Sequence, residues 1–393
     1  MLNKQLRKCS VLILLSASLI LATLTVTAAA APAMVISSTP DRGIQPRLLN
    51  DDEGGVHLLY FRKRIEDPRN REGDLYYRQY HQDSSSWSIP IRVSSQSFSH
   101  LDAIGRAAFA IDGDGAIHVV WYRDRPAAEY YYTRSNADRT GFEPQRSIVE
   151  TNLHGLDAGA DIAADGKRVA IVWAAGDLLR ESERTVFSRV SSDGGKNFGE
   201  ELQVGDPALG ACACCSLTTS YDNAGNQLLA YRSAINNGGR HMQLLTVPSG
   251  GQTGVYRDLH ALHQWELYAC PVTTNELLKE QGHGSWLVFE NHARIIMDYV
   301  PHESTGNPNA PLLAGEPLTE TRQKNPAIAI NRHREKLVVW GEAISYTRGG
   351  DLNLQVFDAD NEVVDVVKPE LNIPDFSFPA AAVLKDDSFL ILY

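Results

Sequence analysis

Between Pro46 and Tyr393 the chain repeats one unit seven times: a short apolar run, a turn rich in Asp, Asn and Gly, and a second apolar run ending in an aromatic residue. The first runs begin near Pro46, Ala107, Ala160, Ser216, Pro271, Pro326 and Pro379, and the second runs end at Tyr60, Trp121, Trp173, Tyr231, Phe289, Trp340 and Tyr393. Turns such as Asp112-Gly113-Asp114-Gly115, Asp165-Gly166 and Asp222-Asn223-Ala224-Gly225 carry residue types that accept positive φ and bond their own backbone. A spacing of roughly 50 to 60 residues fits a four-stranded blade, whose repeat of about 40 to 50 residues grows when loops are inserted.

The expectation is therefore an all-β chain forming a single β-propeller of seven blades; six blades with an irregular seventh hairpin is the competing count. The two leading strands of each unit are the more apolar, as inner strands packed on both faces should be. More polar outer strands follow at Leu75 to Tyr80, Tyr130 to Arg134, Val186 to Val190, Met242 to Val247 and Leu352 to Phe357. The chain ends just after the second strand of the seventh unit. Residues Met34 to Ser38 are expected to complete that blade, so that the N-terminal strand closes the ring and removes an open sheet edge.

The first 31 residues read as a secretory signal peptide: Lys4, Arg7 and Lys8, an apolar stretch from Val11 to Val26, then small residues from Ala28 to Ala33. The propeller domain would then be residues 32–393, exported to a periplasmic or extracellular compartment, with no membrane insertion after cleavage. Without the leader the chain holds 34 basic and 48 acidic residues, a formal charge of −14. That balance excludes nucleic acid as a partner, which needs a basic footprint. Nucleotide-binding loops, a Gly-x-Ser-x-Gly elbow and a His-Glu-x-x-His motif are all missing from the sequence.

Ser191-Ser192-Asp193-Gly194-Gly195-Lys196-Asn197-Phe198 fits the Asp-box pattern S-x-D-x-G-x-x-W/F, and Asn136 to Phe142 is a degraded copy at the same place in its own unit. On these residues and the blade pattern the chain resembles the sialidase-superfamily (BNR-repeat) propellers. The resemblance implies the fold and, with it, binding or cleavage of an acidic carbohydrate. It lacks the Phe/Tyr-Arg-Ile-Pro motif that carries the first arginine of the sialidase carboxylate-binding set; Phe61-Arg62-Lys63-Arg64-Ile65 is the nearest stretch, without the proline.

In an antiparallel blade the first strand starts at the face where the second ends, so residues flanking those points gather around one mouth of the axial channel. Arg62, Arg123 and Arg232 follow the terminal aromatics of units one, two and four, and Glu290 and Glu342 follow those of units five and six; His100 and His154 precede the first strands of units two and three. Three guanidinium groups at equivalent positions suit a ligand bearing a carboxylate, which Arg grips in bidentate fashion. Hydrolysis would need an acid/base carboxyl and a nucleophile, for which Glu290 and Glu342 are candidates; a lyase acting on a uronic acid would use a neutralising Arg with His100 or His154 as base.

Cys212, Cys214, Cys215 and Cys270 fall at the starts of the first strands of units four and five. Two readings stay open. One is a disulfide between neighbouring blades in an oxidising compartment. The other is a thiolate site for zinc or copper, with His154 completing the ligands to Cys212, Cys214, Cys215 and Cys270. The functional alternatives are accordingly a glycan-processing enzyme, a metal-binding propeller, or a protein-binding scaffold stapled by disulfides.

Overall fold

The computed structural model describes residues 32–65, 71–99, 105–157, 159–302, 311–314, 321–345 and 347–393. The segment expected to be a signal peptide, and His100, expected near the mouth, lie outside them. Among the described residues no helix is long and apolar enough to cross a membrane.

The inner hairpins of blades one, two, four and six share one device, an Asp or Asn whose side chain accepts from the turn's own backbone. Asp112 Oδ1 accepts from the backbone N–H groups of Asp114 and Ala116, and Asp222 Oδ1 does so from Ala224 and Asn226. The residue closing both turns, Gly115 or Gly225, sits at φ 77°, where a side chain is strained. These turns join the inner strand pairs: Ile44–Asn50 with Val56–Lys63, Ala108–Ile111 with Ile117–Arg123, Asp161–Asp165 with Arg168–Ala175, and Thr218–Tyr221 with Gln227–Arg232. Asn275–Lys279 with Ser285–Asn291, Gln323–Ile330 with Lys336–Glu342, and Ala380–Val383 with Phe389–Leu392 complete the set.

A third and a fourth strand follow antiparallel in blades two to six, and blade one adds three short strands against its third. The result is seven sheets, a seven-bladed all-β propeller. In blade seven Met34–Ser37 pairs in parallel register with Phe389–Leu392, Met34 opposite Phe389 and Ser37 opposite Leu392, so the N-terminal strand closes the ring as expected.

Apolar side chains of successive blades meet in layers. Leu58 and Tyr60 of blade one pack with Ala380 and Leu390 of blade seven, while Trp121, Trp173 and Trp340, the aromatics that end second strands, are fully buried. The first strands face the axis with one edge unpaired, and side chains of the preceding blade satisfy it. Asp161 Oδ2 accepts from Thr219 N at 2.9 Å, Thr218 Oγ1 from Leu277 N at 3.0 Å, Glu276 Oε2 from Ile328 N at 3.3 Å and Ser377 Oγ from Gln45 N at 2.9 Å. These bonds answer the exposed-edge problem from inside the ring.

The turn at Ser191–Phe198 lies between the third and fourth strands of blade three. Ser191 Oγ accepts from Gly195 N at 2.9 Å, Asp193 Oδ1 accepts from Asn197 N at 2.9 Å, and Phe198 meets Tyr132 of blade two edge-on. The degraded copy does the same one blade earlier: Asn136 Oδ1 accepts from Thr140 N, and Phe142 meets Tyr77 of blade one.

Blade five departs from expectation. Its first strand begins at Asn275 rather than Pro271, because Val272 is left-handed (φ 52°) and the carbonyls of Pro271 and Val272 are taken by Lys324 Nζ.

Candidate functional site

Residues that start first strands and end second strands share one face, as the register requires: Ile44 is opposite Phe61, Asn275 opposite Phe289 and Gln323 opposite Glu342. At the axis on this side sit four buried charges. Arg47 pairs with Asp161 at 2.9 Å; Arg106 donates to Asn275 O and lies over the Phe378 ring; Glu276 belongs to the same electrostatic group. Burial, and then the neighbouring Arg47 charge, pull the Arg106 guanidinium down to about 10. Burial pushes the Glu276 carboxyl up against the pull of both arginines.

The three expected arginines play different parts. Arg62 is exposed, with its guanidinium 5.9 Å above the Tyr76 ring. Arg123 is half-buried, paired with Glu129 and 4.6 Å over Tyr131. Arg232 is buried and directed inward: Nη1 donates to Arg240 O at 2.8 Å and Asn291 Oδ1 at 3.0 Å, and Nη2 donates to Glu290 O. It ties blade four to blade five. Of the carboxylates, Glu342 is buried and accepts from Trp340 Nε1 at 3.1 Å and from Thr321. His154 is exposed on the loop before blade three, and its carbonyl accepts from Gly176 N.

Around Glu290 the arrangement is denser. Its carboxyl is fully buried, Oε1 accepts from Arg322 Nε at 2.7 Å, and Oε2 has no hydrogen-bond partner among the described residues. The guanidiniums of Arg322 and Arg232 lie 5.6 Å and 5.2 Å from the ring centre of Trp265, so one indole supports both cations. Arg322 keeps 38% of its side chain exposed, which makes it the open member of the group. Lys324 stands next to it, its ammonium drawn down by burial.

The cysteine loop joins this group from blade four. Gly210 opens it at φ 60°, where an added Cβ would come within 2.8 Å of Ser182 Cα. Glu181 then clamps it: Oε1 accepts from Ala213 N at 2.8 Å, while Oε2 pairs with Arg240. Cys214 forms a disulfide with Cys270, with Cα atoms 6.4 Å apart, joining the approaches to blades four and five. Cys212 and Cys215 are free and buried.

Among the described residues the sulfurs of Cys212, Cys214 and Cys270 form one compact group, all within 4.8 Å of one another; neither His154 nor Cys215 belongs to it. The neighbouring Cys215 thiol and burial together push Cys212 up. Burial alone would push Cys215 up too, but the interaction with Cys212, the Arg232 charge and the Thr273 backbone N–H outweigh it and hold Cys215 down.

Of the three expected arginines only Arg232 thus reaches the cysteine loop, whose Cys215 also feels the Glu290 charge; Arg62 and Arg123 stand apart from it. Trp265, Glu181 and Arg240 escape the sequence reading because they come from irregular loops, and no periodicity marks them. At the opposite end of the axis a cavity of about 630 Å³ opens between the hairpin turns, lined among others by Asp51, Glu53, Lys279, Glu280, Arg332 and Lys385.

No family model and no curated protein matches the chain. Solved structures do. A protein of unknown function from Dyadobacter fermentans DSM 18053 aligns at 15% identity over 80% of this chain and 94% of its own, with a TM-score of 0.53. A Trypanosoma rangeli sialidase aligns at 10% identity over 79% of this chain and 53% of its own, with a TM-score of 0.53. A Penicillium chrysogenum α-L-arabinanase, solved with arabinobiose, aligns at 11% over 83% and 96%, with a TM-score of 0.51. At such identities the likeness is one of fold.

Proposed function

We propose that the chain is an exported propeller that binds, and as an enzyme cleaves, an acidic carbohydrate at the face where its first strands begin. The observation that carries this reading is the Arg322–Glu290 pair over Trp265. A half-open guanidinium suits a sugar carboxylate, and a buried carboxyl with one unpartnered oxygen suits a hydroxyl or a glycosidic oxygen. The Asp-box resemblance and the shared fold with a sialidase and an arabinanase support the same reading. Arg62 and Arg322 would hold the carboxylate, with Glu290 and Glu342 as the acid–base carboxyls; Arg123, His100 and His154 complete the proposed rim.

Titration calorimetry with matched uronate-containing and neutral oligosaccharides tests it. Binding of the acidic series alone, weakened at least tenfold by Arg322→Ala and by Arg62→Ala, is the expected result. Equal binding of both series, or none, would remove the proposal.

A second reading rests on the compact sulfur group. With the Cys214–Cys270 bond reduced, three thiolates within 4.8 Å of one another form a soft site suited to copper(I) or zinc. Metal content after reduction and dialysis against each ion tests it. A stoichiometric ion lost in Cys212→Ser is expected, and an empty site in the reduced protein would exclude it.

A further inference from the structure

We propose that Cys212, Cys214, Cys215 and Cys270 form a thiol–disulfide exchange centre, in which the Cys214–Cys270 bond passes to the Cys212/Cys215 pair and frees the exposed Cys270 sulfur to react with a small external disulfide.

The geometry is that of an exchange line running from the interior to the surface. Cys212 Sγ lies 3.5 Å from Cys214 Sγ, so a free buried thiol abuts one sulfur of a formed disulfide. Exposure rises along the line: Cys212 is buried, Cys214 half-buried and Cys270 exposed. Cys215, the other free and buried thiol, directly follows Cys214 in the chain and lies within electrostatic reach of Cys212 and of the Arg232 guanidinium, a cation held in place by three protein acceptors. A staple alone would need neither a second thiol at contact distance from its sulfur nor a third beside a fixed cation. Exchange needs both: an attacking sulfur and a group to take its proton.

The chemistry balances within the protein. Cys212 passes its proton to Cys215 in its thiolate form and attacks Cys214 Sγ; a Cys212–Cys214 bond forms, the Cys214–Cys270 bond breaks, and Cys270 leaves as a thiolate that takes a proton from water. Cys215 then attacks Cys212 Sγ, forming a Cys212–Cys215 disulfide and expelling Cys214, whose departing thiolate takes up the Cys215 proton. Two thiols and one disulfide become two thiols and one disulfide, so no outside oxidant is consumed. An external disulfide then exchanges with Cys270 and releases one thiol. Attack by Cys214 on that mixed disulfide releases the second thiol and restores the Cys214–Cys270 bond. The net transfer is two electrons from the buried pair to the external disulfide.

The test is native alkylation of the full-length protein with iodoacetamide, without reductant, followed by denaturation and peptide mapping of every cysteine. In the wild type, alkylated Cys270 and a Cys212–Cys215 disulfide are expected to accumulate together, one for one. Cys212→Ser should keep Cys214–Cys270 intact and slow labelling of Cys270 at least tenfold. Cys215→Ser, which retains the attacking sulfur but leaves its proton to solvent, should label Cys270 more slowly than the wild type and stall at a Cys212–Cys214 disulfide, and it separates blocked chemistry from misfolding. With oxidised glutathione in place of iodoacetamide, a mixed disulfide should appear on Cys270 in the wild type and not in Cys212→Ser. The proposal is overturned if wild-type Cys270 stays unlabelled while Cys212 and Cys215 are the free thiols found after denaturation, or if Cys270 labels equally fast in the wild type and Cys212→Ser.

Discussion

Arg47 of blade one reaches Asp161 of blade three across the axis, its Nη1 2.9 Å from Oδ1, with side chains 10% and 1% exposed. The same carboxylate accepts from Thr219 N of blade four through its other oxygen, so one side chain links three blades. Arg106 stands in the same field, and Glu276 is the other acid that offsets the two guanidiniums.

Removing Asp161 would therefore leave a buried cation uncompensated and a buried N–H without its acceptor. Asp161→Ala is expected to cost about 3–5 kcal/mol, the range for breaking a buried pair by deleting one partner. Asp161→Asn should cost less, since it keeps the acceptor for Thr219. Urea unfolding of the two variants measures the difference; a cost below about 1 kcal/mol for the alanine variant would mean that water reaches these charges and screens them.

Ring closure makes a second expectation. Met34–Ser37 covers the edge of Phe389–Leu392, with Phe389 N bonded to Ala33 O and Thr39 N to Tyr393 O. Met34 and Ile36 also pack against the layer formed by blades six and seven. A chain starting at Ser38 would expose that edge and uncover the apolar layer, so it should melt at lower temperature and self-associate. Thermal unfolding and size-exclusion chromatography check this, and a monomer with unchanged melting would show that the closing strand adds nothing.

The repeat was readable because an inner hairpin must combine apolar alternation with a turn whose Asp or Asn bonds its own backbone; Asp112 and Asp222 do what their position announced. Met34–Ser37 was readable for the complementary reason that blade seven lacked outer strands. The site was less legible. The sequence placed Arg232 among ligand-binding groups, but its guanidinium is consumed by Arg240, Asn291 and Glu290, and nothing in a sequence tells an inward guanidinium from an outward one. Arg322, Trp265 and Glu290 meet only because two separate connections fold onto the end of the strand that carries Glu290. The cysteines were visible, yet which pair is joined depends on a loop path set by Glu181 and Gly210.

Glu201 gives a pH signature. Its carboxylate accepts from the backbone N–H groups of Glu150, Thr151 and Asn152 and from the side chains of Thr151 and Asn152, fixing the loop that leads to His154. Burial alone would push the carboxyl up, but these hydrogen bonds bring it from its ordinary 4.5 to about 2. A depressed folded-state value contributes stability that is present above the unfolded value and lost as pH falls through the folded one. The stability advantage of wild type over Glu201→Gln should be full above about pH 4.5 and decline between that point and about 2. Paired unfolding curves across this window check it; a pH-independent difference would show that the charge is not what holds the loop.

Arg232 joins the blade contact to the thiol chemistry, and two substitutions separate its roles. Arg232→Lys keeps a cation but cannot span Arg240 O, Asn291 Oδ1 and Glu290 O together, so buried acceptors lose their donor at about 1–3 kcal/mol each. Arg232→Met removes the cation as well. Since the Arg232 charge helps hold the Cys215 thiol down, its loss should move thiolate formation at Cys215 to higher pH, whereas the lysine variant should stay nearer wild type. Ultraviolet absorbance of the thiolate against pH reads the second effect and urea unfolding the first. If both variants lose stability but neither shifts the thiolate midpoint, Arg232 is a blade tie alone, and the proton acceptor for Cys212 must draw its stabilisation from the Thr273 amide and Cys212 itself.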